Sequence, residues 1–360
     1  MQDAFVKAAE RWPRDGTPAS PGAWIVTTAR NAAVDRIRRE QTLARKTELL
    51  ARIAELPDDE EAVIPDERLE LIFACCHPAL AADAQVALTL SLVGGLTTPE
   101  IARAFIIPEP TLAQRLVRAK RKIRDAGIPL RVPPEHLLPE RLRTVFAAVY
   151  LVFNAGYGPP VRQELCAEGI RLALLLATLM PDEAEAHGLH ALLLLQDARR
   201  DARVTDGRIV LLDDQDRKAW DWPEIEQGRA ALERGLTLRM PGPYQLQAAI
   251  AALHAEETTD WHQISLLYGR LAELTPSPVV DLNRAVAISM SEGLAEGLAL
   301  MDEIHRLDGY YLLHSARADL LRRLGRTDES SAAYERALEL APSDVERDFL
   351  RGRLAELDSV

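Results

Sequence analysis

The chain has 360 residues, more than one ordinary domain needs, so we expect two or three domains. Hydrophobic residues make up 48% and charged residues 27%, which is average for a globular protein and argues against wholesale disorder. No apolar run reaches the roughly 18 residues of a membrane-spanning helix. We find no secretion signal, and three cysteines are too few for a disulfide framework. We therefore expect a cytoplasmic protein without a membrane partner.

The net charge of −12 is distributed unevenly along the chain. Residues 1–131 contain 19 Lys and Arg against 18 Asp and Glu, whereas residues 132–360 contain 24 against 37. Within the first part, basic clusters at residues 30–52 and 115–131 flank an acidic stretch. This asymmetry favours a nucleic-acid-binding half joined to an acidic half with another role.

The hydrophobic pattern predicts an all-α fold. Apolar residues recur at three- and four-residue intervals between Pro and Gly breakers, and alternation with period two is almost absent. We divide the chain into helices at residues 1–54, an acidic linker at 55–65, a helical segment at 66–130 and a helical remainder at 131–360. The exception is residues 207–214, which predict a short extended piece or an ordered loop.

The strongest local signal is a helix-turn-helix at residues 97–124. Thr98 supplies a capping hydroxyl for a short first helix, and Pro108 ends the turn before a second helix at residues 109–124. Six cations and no acid lie between residues 115 and 124. Such a pair of helices enters a DNA major groove, whereas the alternative is a bundle helix whose cations only confer solubility. The candidate DNA-binding residues are Thr111, Gln114, Arg115, Arg118, Arg121 and Lys122.

A second basic element is predicted as one helix over residues 21–40. Ile25, Ala29 and Ile37 lie on one side of this helix, and polar residues including Asn31 and Asp35 project from another. Taken alone, this polar face is typical of a surface hydrogen-bond network. Beside a helix-turn-helix in the same chain, it also becomes a candidate DNA contact.

These two elements together resemble the extracytoplasmic-function (ECF) sigma factors. The segment similar to their regions 2.3–2.4 is Trp24 followed by Ala29-Arg30-Asn31 and by Asp35-Arg36-Ile37-Arg38-Arg39. The segment similar to region 4.2 is Gly95-Leu96-Thr97-Thr98-Pro99-Glu100-Ile101-Ala102-Arg103-Ala104-Phe105 with Thr111-Leu112-Ala113-Gln114-Arg115-Leu116-Val117-Arg118-Ala119-Lys120-Arg121. The remainder, including residues 146–160 and Asp213-Asp214-Gln215-Asp216-Arg217, resembles the subgroup with a C-terminal tetratricopeptide-like extension. The resemblance covers nearly the whole chain.

The resemblance implies a promoter-specificity subunit of bacterial RNA polymerase. The second helix of the helix-turn-helix would read the −35 element, and the partners would be promoter DNA and the polymerase core through its beta-prime clamp and beta flap. The residues that would face the −10 element are Arg30, Asn31, Asp35, Arg36, Arg38 and Arg39. The residues that would contact polymerase are Gln2, Asp3 and Phe5. Neither task uses a catalytic side chain, a metal or a cofactor, so we do not expect an enzyme.

The sequence departs from the family pattern at two places. The chain begins inside what resembles region 2.2, so we expect an incomplete region 2, through a misassigned start or a truncation. Pro110 stands near the start of the second helix, where a small helix former is usual. Proline is tolerated in a first helical turn, but contacts from Glu109 and Thr111 are then doubtful.

The acidic C-terminal part contains a repeat of 33 residues. Ala252, Ala285 and Ala318 are 33 apart, and other small, bulky and helix-breaking residues repeat with the same spacing. This repeat pattern predicts a tetratricopeptide-like α-solenoid with a groove. Its negative charge predicts either an intramolecular contact with the basic elements, which would regulate the protein in cis, or a protein partner. A plain helical array without a ligand is the alternative.

Two other functions compete with the sigma factor. The first is a tetratricopeptide adaptor that binds a protein partner and carries a degenerate sigma remnant. The second is a helix-turn-helix regulator that binds duplex DNA without polymerase. Dependence of promoter opening on polymerase separates the second from a sigma factor.

Enzyme and metal signals are weak. The adjacent Cys75, Cys76 and His77 lack the spacing of a metal site, so we interpret both cysteines as buried packing residues. His187 and His190 lie three apart on an apolar helix and have no assigned third ligand beyond Glu183. We therefore expect them to pack rather than to bind metal.

Overall fold

The residues that the structure describes form sixteen α-helices and one pair of two-residue strands. The structure is a computed structural model, and it describes residues 67–105, 107–133, 138–158, 161–205 and 208–357. The all-α prediction is confirmed for this part of the chain. None of the helices described is long and apolar enough to cross a membrane.

Four short helices form the first segment, which we call the helix-turn-helix segment (residues 67–125). They are α1 (Glu67–Cys75), α2 (Ala82–Leu92), α3 (Thr98–Ala104) and α4 (Glu109–Asp125). Gly95, three residues beyond the end of α2, has a φ of 63°, a left-handed conformation that glycine adopts without strain, and the next N–H, of Leu96, donates to the Leu90 carbonyl at 3.0 Å. Pro110 is the second residue of α4, so the proline sits in the first turn, where the missing N–H costs no helical hydrogen bond.

Longer helices follow and are interrupted by a small hairpin. They are α5 (Leu138–Tyr157), α6 (Gln163–Leu179), α7 (Ala184–Asp197), α8 (Arg200–Arg203), α9 (Trp222–Thr237) and α10 (Pro243–His254). The hairpin between α8 and α9 pairs β1 (Val204–Thr205) antiparallel with β2 (Arg208–Ile209). Two 3₁₀ turns, Leu212–Asp214 and Arg217–Ala219, lead from the hairpin to α9. The short extended piece predicted near residues 207–214 is therefore present.

The last six helices form three consecutive pairs with a regular spacing. They are α11 (Trp261–Leu274), α12 (Pro278–Ser291), α13 (Leu294–Asp302), α14 (Tyr311–Arg323), α15 (Thr327–Leu340) and α16 (Asp344–Leu357). The starts of α11, α13 and α15 are 33 residues apart, as are the starts of α12, α14 and α16. The structure thus reproduces the repeat length read from the sequence, whereas the tetratricopeptide assignment itself stays a prediction.

Helix α5 joins the helix-turn-helix segment to the C-terminal helices through shared hydrophobic cores. Phe73 of α1, Val149 of α5 and Leu172 of α6 are buried in one cluster. Leu151, on another side of α5, packs against the cluster that contains Leu88 of α2. The two segments that the sequence separates near residue 130 are consequently packed as one unit, residues 65–360.

Candidate nucleic-acid interface

The first helix of the helix-turn-helix begins with one half of a capping box, the contact from the third helical residue back to the N-cap. The backbone N–H and the hydroxyl of Thr97 both donate to the Glu100 carboxylate, at 2.7 and 2.6 Å. Glu100 is the third residue of α3, so Thr97 occupies the N-cap and Thr98 is already helical. The sequence assigned the cap to Thr98, and that assignment is wrong by one residue. The T-x-x-E pattern that starts at Thr97 was the signal that would have corrected it.

One face of α4 is buried against α2 and α3. Leu112, Leu116 and Ala119 of α4 share a core with Leu88 of α2 and Ile101 of α3. Their spacing of three and four residues places them on one side of a helix. This buried face fixes which residues of α4 point outward.

The outward face carries most of the predicted DNA-binding residues. Gln114, Arg118 and Lys122 are exposed and lie four residues apart, so they form one row along the helix. Thr111 and Arg121 are also exposed. This arrangement leaves polar and cationic groups free to approach a DNA groove.

Two of the predicted cations are engaged locally. The Arg115 guanidinium lies 3.2 Å from the Asp83 carboxylate of α2 and 5.7 Å from the centre of the Phe105 ring. Only 28% of the Arg115 side chain is exposed. Arg121 pairs with Asp125 at 3.2 Å on the exposed surface, where such a pair contributes little. Arg115 therefore links α4 to α2 and helps to position the two helices. The sequence did not indicate this contact, because Asp83 is far from Arg115 along the chain.

A cavity of about 330 Å³ lies beside the same face, between α2 and α4. Its lining includes Ala84 of α2 and Ala81 just before that helix, together with Thr111, Gln114 and Arg118 of α4. Small residues at the start of α2 therefore open the space next to the polar row of α4.

The C-terminal helices contact the helix-turn-helix segment away from the outward face of α4. Arg68 of α1 pairs with Glu168 of α6 at 2.5 Å, and Arg162 pairs with Glu100 of α3 at 3.6 Å. Within the residues described, the ion pairs of α4 are with Asp83 and Asp125, which both belong to the helix-turn-helix segment. In this part of the chain, the acidic C-terminal helices thus leave the cationic face of α4 exposed.

The residues predicted to contact the −10 element and polymerase lie outside the described residues. They are Arg30, Asn31, Asp35, Arg36, Arg38 and Arg39 for DNA, and Gln2, Asp3 and Phe5 for polymerase. These assignments stay predictions.

The cysteines and histidines weighed as enzyme or metal groups are held by packing. Cys75, Cys76 and Cys166 are buried, and burial raises the pKa of each thiol to about 12, so the thiols stay protonated near neutral pH. Burial, together with the neighbouring His187, lowers the pKa of His190 to about 4. The described part of the chain places no three His, Cys, Asp or Glu side chains together as a metal site.

Family models match three parts of the chain. Residues 1–42 match sigma-70 region 2, and residues 70–123 match sigma-70 region 4. Residues 141–236 match a family of unknown function (DUF6596). The region 4 match spans α1 to α4, and the third match begins within α5, which packs against them.

Two curated proteins are similar to the chain. An uncharacterized protein of Rhizobium meliloti (strain 1021) is 45% identical over 375 residues, which cover 99% of this chain and 89% of that protein. An ECF RNA polymerase sigma factor of Mycobacterium ulcerans (strain Agy99) is 31% identical over 115 residues, which cover 31% of this chain and 60% of that protein. No solved structure matches the chain.

Proposed function

Since the chain belongs to the ECF type of RNA polymerase sigma factors, with sigma-70 regions 2 and 4 ahead of a domain of unknown function, we propose that it directs polymerase to promoters by reading the −35 element with α4. The observation that supports this most is the exposed row Gln114, Arg118 and Lys122 on the outward face of α4. Amide side chains pair with adenine edges, and arginine pairs with guanine edges or with phosphates. The proposed contacts with the −35 element also include Thr111, Arg115 and Arg121.

The proposal extends to the segment that matches sigma-70 region 2. Here Arg30, Asn31, Asp35, Arg36, Arg38 and Arg39 contact the −10 element, and Gln2, Asp3 and Phe5 contact the polymerase clamp. Polymerase makes the phosphodiester bonds, so the chain acts in the cytoplasm by binding and positioning, without a catalytic side chain of its own. The working organisation is region 2 at residues 1–54, a linker at 55–65, region 4 at 66–130 and the helical domain at 131–360.

The C-terminal helical domain is proposed to regulate region 4 in cis by holding it. The shared core of Phe73 and Val149 and the ion pair between Arg68 and Glu168 fix the back of region 4. The outward face of α4 stays exposed in this arrangement. We therefore favour regulation through the orientation of region 4 over regulation by covering its DNA-binding surface.

The test is run-off transcription with purified core polymerase on DNA from upstream of the protein's own gene. The expected result is a defined transcript that requires both the chain and core polymerase. A footprint that the chain gives alone, with no effect of polymerase, would instead establish a polymerase-independent regulator. If the folded chain gives neither a transcript nor a footprint, the result favours the adaptor.

A paired set of variants makes this experiment specific for α4. Arg118→Ala combined with Lys122→Ala is expected to abolish the transcript. Arg336→Ala combined with Arg351→Ala removes the same charge from exposed positions of α15 and α16 and is expected to leave it unchanged. Equal loss in both variants would mean that net charge, rather than the face of α4, carries the effect.

A further inference from the structure

The C-terminal helices enclose a polar cavity that promoter recognition does not use. Its volume is about 500 Å³, and it lies between α5, α7, α10, α11 and α12. Small-molecule sites in proteins typically have volumes of about 300–1,000 Å³. Apolar side chains such as Leu192, Ile250 and Val279 form part of the wall, and polar side chains form the rest.

Three buried polar atoms of cavity-lining residues have no hydrogen-bond partner among the described residues. They are Oε1 of Gln196, Nε of Arg199 and Nδ1 of His254. Leaving a buried polar group unsatisfied costs about 1–3 kcal/mol, and more when the group is charged. Three such atoms gathered around one cavity mark it as a polar site whose hydrogen bonds the described residues do not complete.

Arg199 gives this cavity a positive charge without a matching carboxylate. None of the sixteen residues that line the cavity is Asp or Glu. The nearby carboxylates pair with the next arginine instead, because Arg200 lies 2.7 Å from Asp197 and 2.9 Å from Glu224. Burial lowers the pKa of Arg199, and the guanidinium still stays charged because its ordinary pKa lies above 12.

The side chain of Arg199 is held in place by an aromatic ring. Its guanidinium lies 5.8 Å from the centre of the Trp220 ring, and the Arg217 guanidinium lies 4.7 Å from the same ring. Arg217 also donates to the backbone carbonyl of His254 at 3.1 Å, which fixes the end of α10 beside the cavity. The cationic group is thus preorganised rather than mobile, which favours binding.

Two other titratable groups of the cavity, His254 and Tyr268, are neutral at pH 7. Burial and the neighbouring Arg199 lower the pKa of His254 to about 4. Burial raises the pKa of Tyr268 to about 12, so its hydroxyl stays a hydrogen-bond donor. The cavity therefore combines one cation with neutral hydrogen-bonding groups.

We propose that this cavity binds a small organic anion, whose carboxylate or phosphate group pairs with the Arg199 guanidinium while the neutral ring of His254 donates a hydrogen bond to the ligand. The anion neutralises the buried charge, and the apolar wall contacts the rest of the molecule. Planar guanidinium groups bind both carboxylate and phosphate in a bidentate manner, so the two ligand classes share this chemistry. The inference concerns binding alone and does not rest on the proposed promoter recognition.

The position of the cavity links it to region 4. Tyr150 of α5 lines the cavity, and the neighbouring Leu151 packs against the core of the helix-turn-helix segment. A ligand in the cavity consequently touches the helix that holds region 4.

The test is isothermal titration of the full chain with benzoate, phenyl phosphate and the neutral benzamide, at constant ionic strength. We expect one equivalent of benzoate or phenyl phosphate to bind saturably, and benzamide to bind at least tenfold more weakly. The tighter of the two anions identifies whether the natural ligand is a carboxylate or a phosphate. Absence of saturable binding by both anions up to about 10 mM, a concentration that would detect even weak complexes, overturns the proposal.

Arg199→Met tests the residue itself, with Arg234→Met on the exposed surface of α9 as the matched control. We expect Arg199→Met to weaken anion binding at least tenfold and to raise the melting temperature of the ligand-free chain, since it removes an uncompensated buried charge. The control is expected to change neither quantity. Unchanged anion binding in Arg199→Met overturns the proposal. If Arg199→Met does not fold, His254→Phe must weaken anion binding in its place, and failure to do so has the same consequence.

Discussion

The helix-turn-helix segment and the C-terminal helices use their cations in different ways. On α4, Arg118, Lys120 and Lys122 are exposed and have no ion-pair partner among the described residues. In the last three helices and the loop between α14 and α15, several arginines each pair with an acid three residues away. These pairs are Arg322–Asp319, Arg326–Glu329, Arg336–Glu339, Arg347–Asp344, Arg351–Asp348 and Arg353–Glu356.

This difference shows that the local pattern of charge matters more than its total. A cation with an acid one helical turn away is partly neutralised within its own helix. A cation without such a neighbour keeps its charge available for phosphates and releases counterions when it binds them. The net charge of the chain is negative, yet the exposed face of α4 is a cationic surface.

The prediction with the largest expected effect tests whether the helix-turn-helix segment and the C-terminal helices unfold independently. Phe73→Ala removes a buried side chain from the core that α1 shares with α5 and α6, and we expect the free energy of unfolding to fall by about 3–5 kcal/mol. Denaturant unfolding is followed by circular dichroism for all helices and, in a chain with Trp12→Phe and Trp24→Phe, by fluorescence of Trp220, Trp222 and Trp261 for the C-terminal ones. Because the core is shared, both signals are expected to shift together.

The control for this prediction is Phe105→Ala, which removes a half-buried ring near Arg115 and is expected to have a smaller effect. If Phe73→Ala shifts circular dichroism but leaves the tryptophan transition where it is, the two regions unfold independently. The two regions would then differ in folding as well as in the pairing of their cations.

The second prediction sharpens the contrast between free and paired cations. Arg118→Ala with Lys122→Ala is expected to weaken DNA binding by about tenfold or more and to reduce the slope of log K against log salt by about two. Arg336→Ala with Arg351→Ala removes two cations of the paired kind and is expected to change neither. Fluorescence anisotropy with a labelled duplex, between about 50 and 200 mM salt, measures both quantities. If both double variants weaken DNA binding equally, the unpaired cations of α4 do not differ in function from the paired cations of α15 and α16.

The third prediction concerns a buried carboxylate of the C-terminal helices. Burial, reinforced by Asp197, raises the pKa of Glu224 to about 7, and Arg200 only partly opposes this shift. A raised pKa means that the folded state binds the proton more tightly than the unfolded state. The stabilisation is therefore complete below the ordinary value near 4.5 and is lost as the pH rises towards 7.

Glu224→Gln keeps an acceptor for Arg200 and cannot ionise. We expect its melting temperature to exceed that of the parent by about 2–4 °C at pH 8 and by less at pH 5. Differential scanning calorimetry at the two pH values gives the comparison. Glu233→Gln, at an exposed position of the same helix, is the control and should show the same small difference at both. A constant offset for Glu224→Gln would contradict the assigned pKa shift.

The smallest expected effect distinguishes the two threonines before α3. Thr97→Ala removes the hydroxyl that donates to Glu100 and is expected to cost about 1 kcal/mol of stability. Thr98→Ala changes the first helical residue and is expected to have almost no effect. Chemical denaturation of both variants decides between them, and a larger loss for Thr98→Ala would return the cap to the residue that sequence reasoning favoured.

Much of the helix-turn-helix could be predicted from the sequence because its signals are local. The apolar spacing of Leu112 and Leu116 defined the buried face of α4, and the remaining positions followed from helical geometry. The engagement of Arg115 could not be predicted, since Asp83 lies 32 residues away and approaches only when α2 packs against α4. The sequence therefore predicts which residues make up the candidate site, but it does not predict which of its cations form ion pairs with neighbouring helices.

The sequence by itself determined the helices, the exposed basic row of α4 and the repeat of 33 residues, because caps, breakers and periodicity act over a few residues at a time. Only the tertiary structure decided that α5 packs on α1 and α2, and that Arg199 is buried without a carboxylate while Arg200 has two. Adjacent residues on a helix point in different directions, so their surroundings depend on which helices lie beside them. Burial and pairing are properties of that packing, and no local pattern of the chain encodes them.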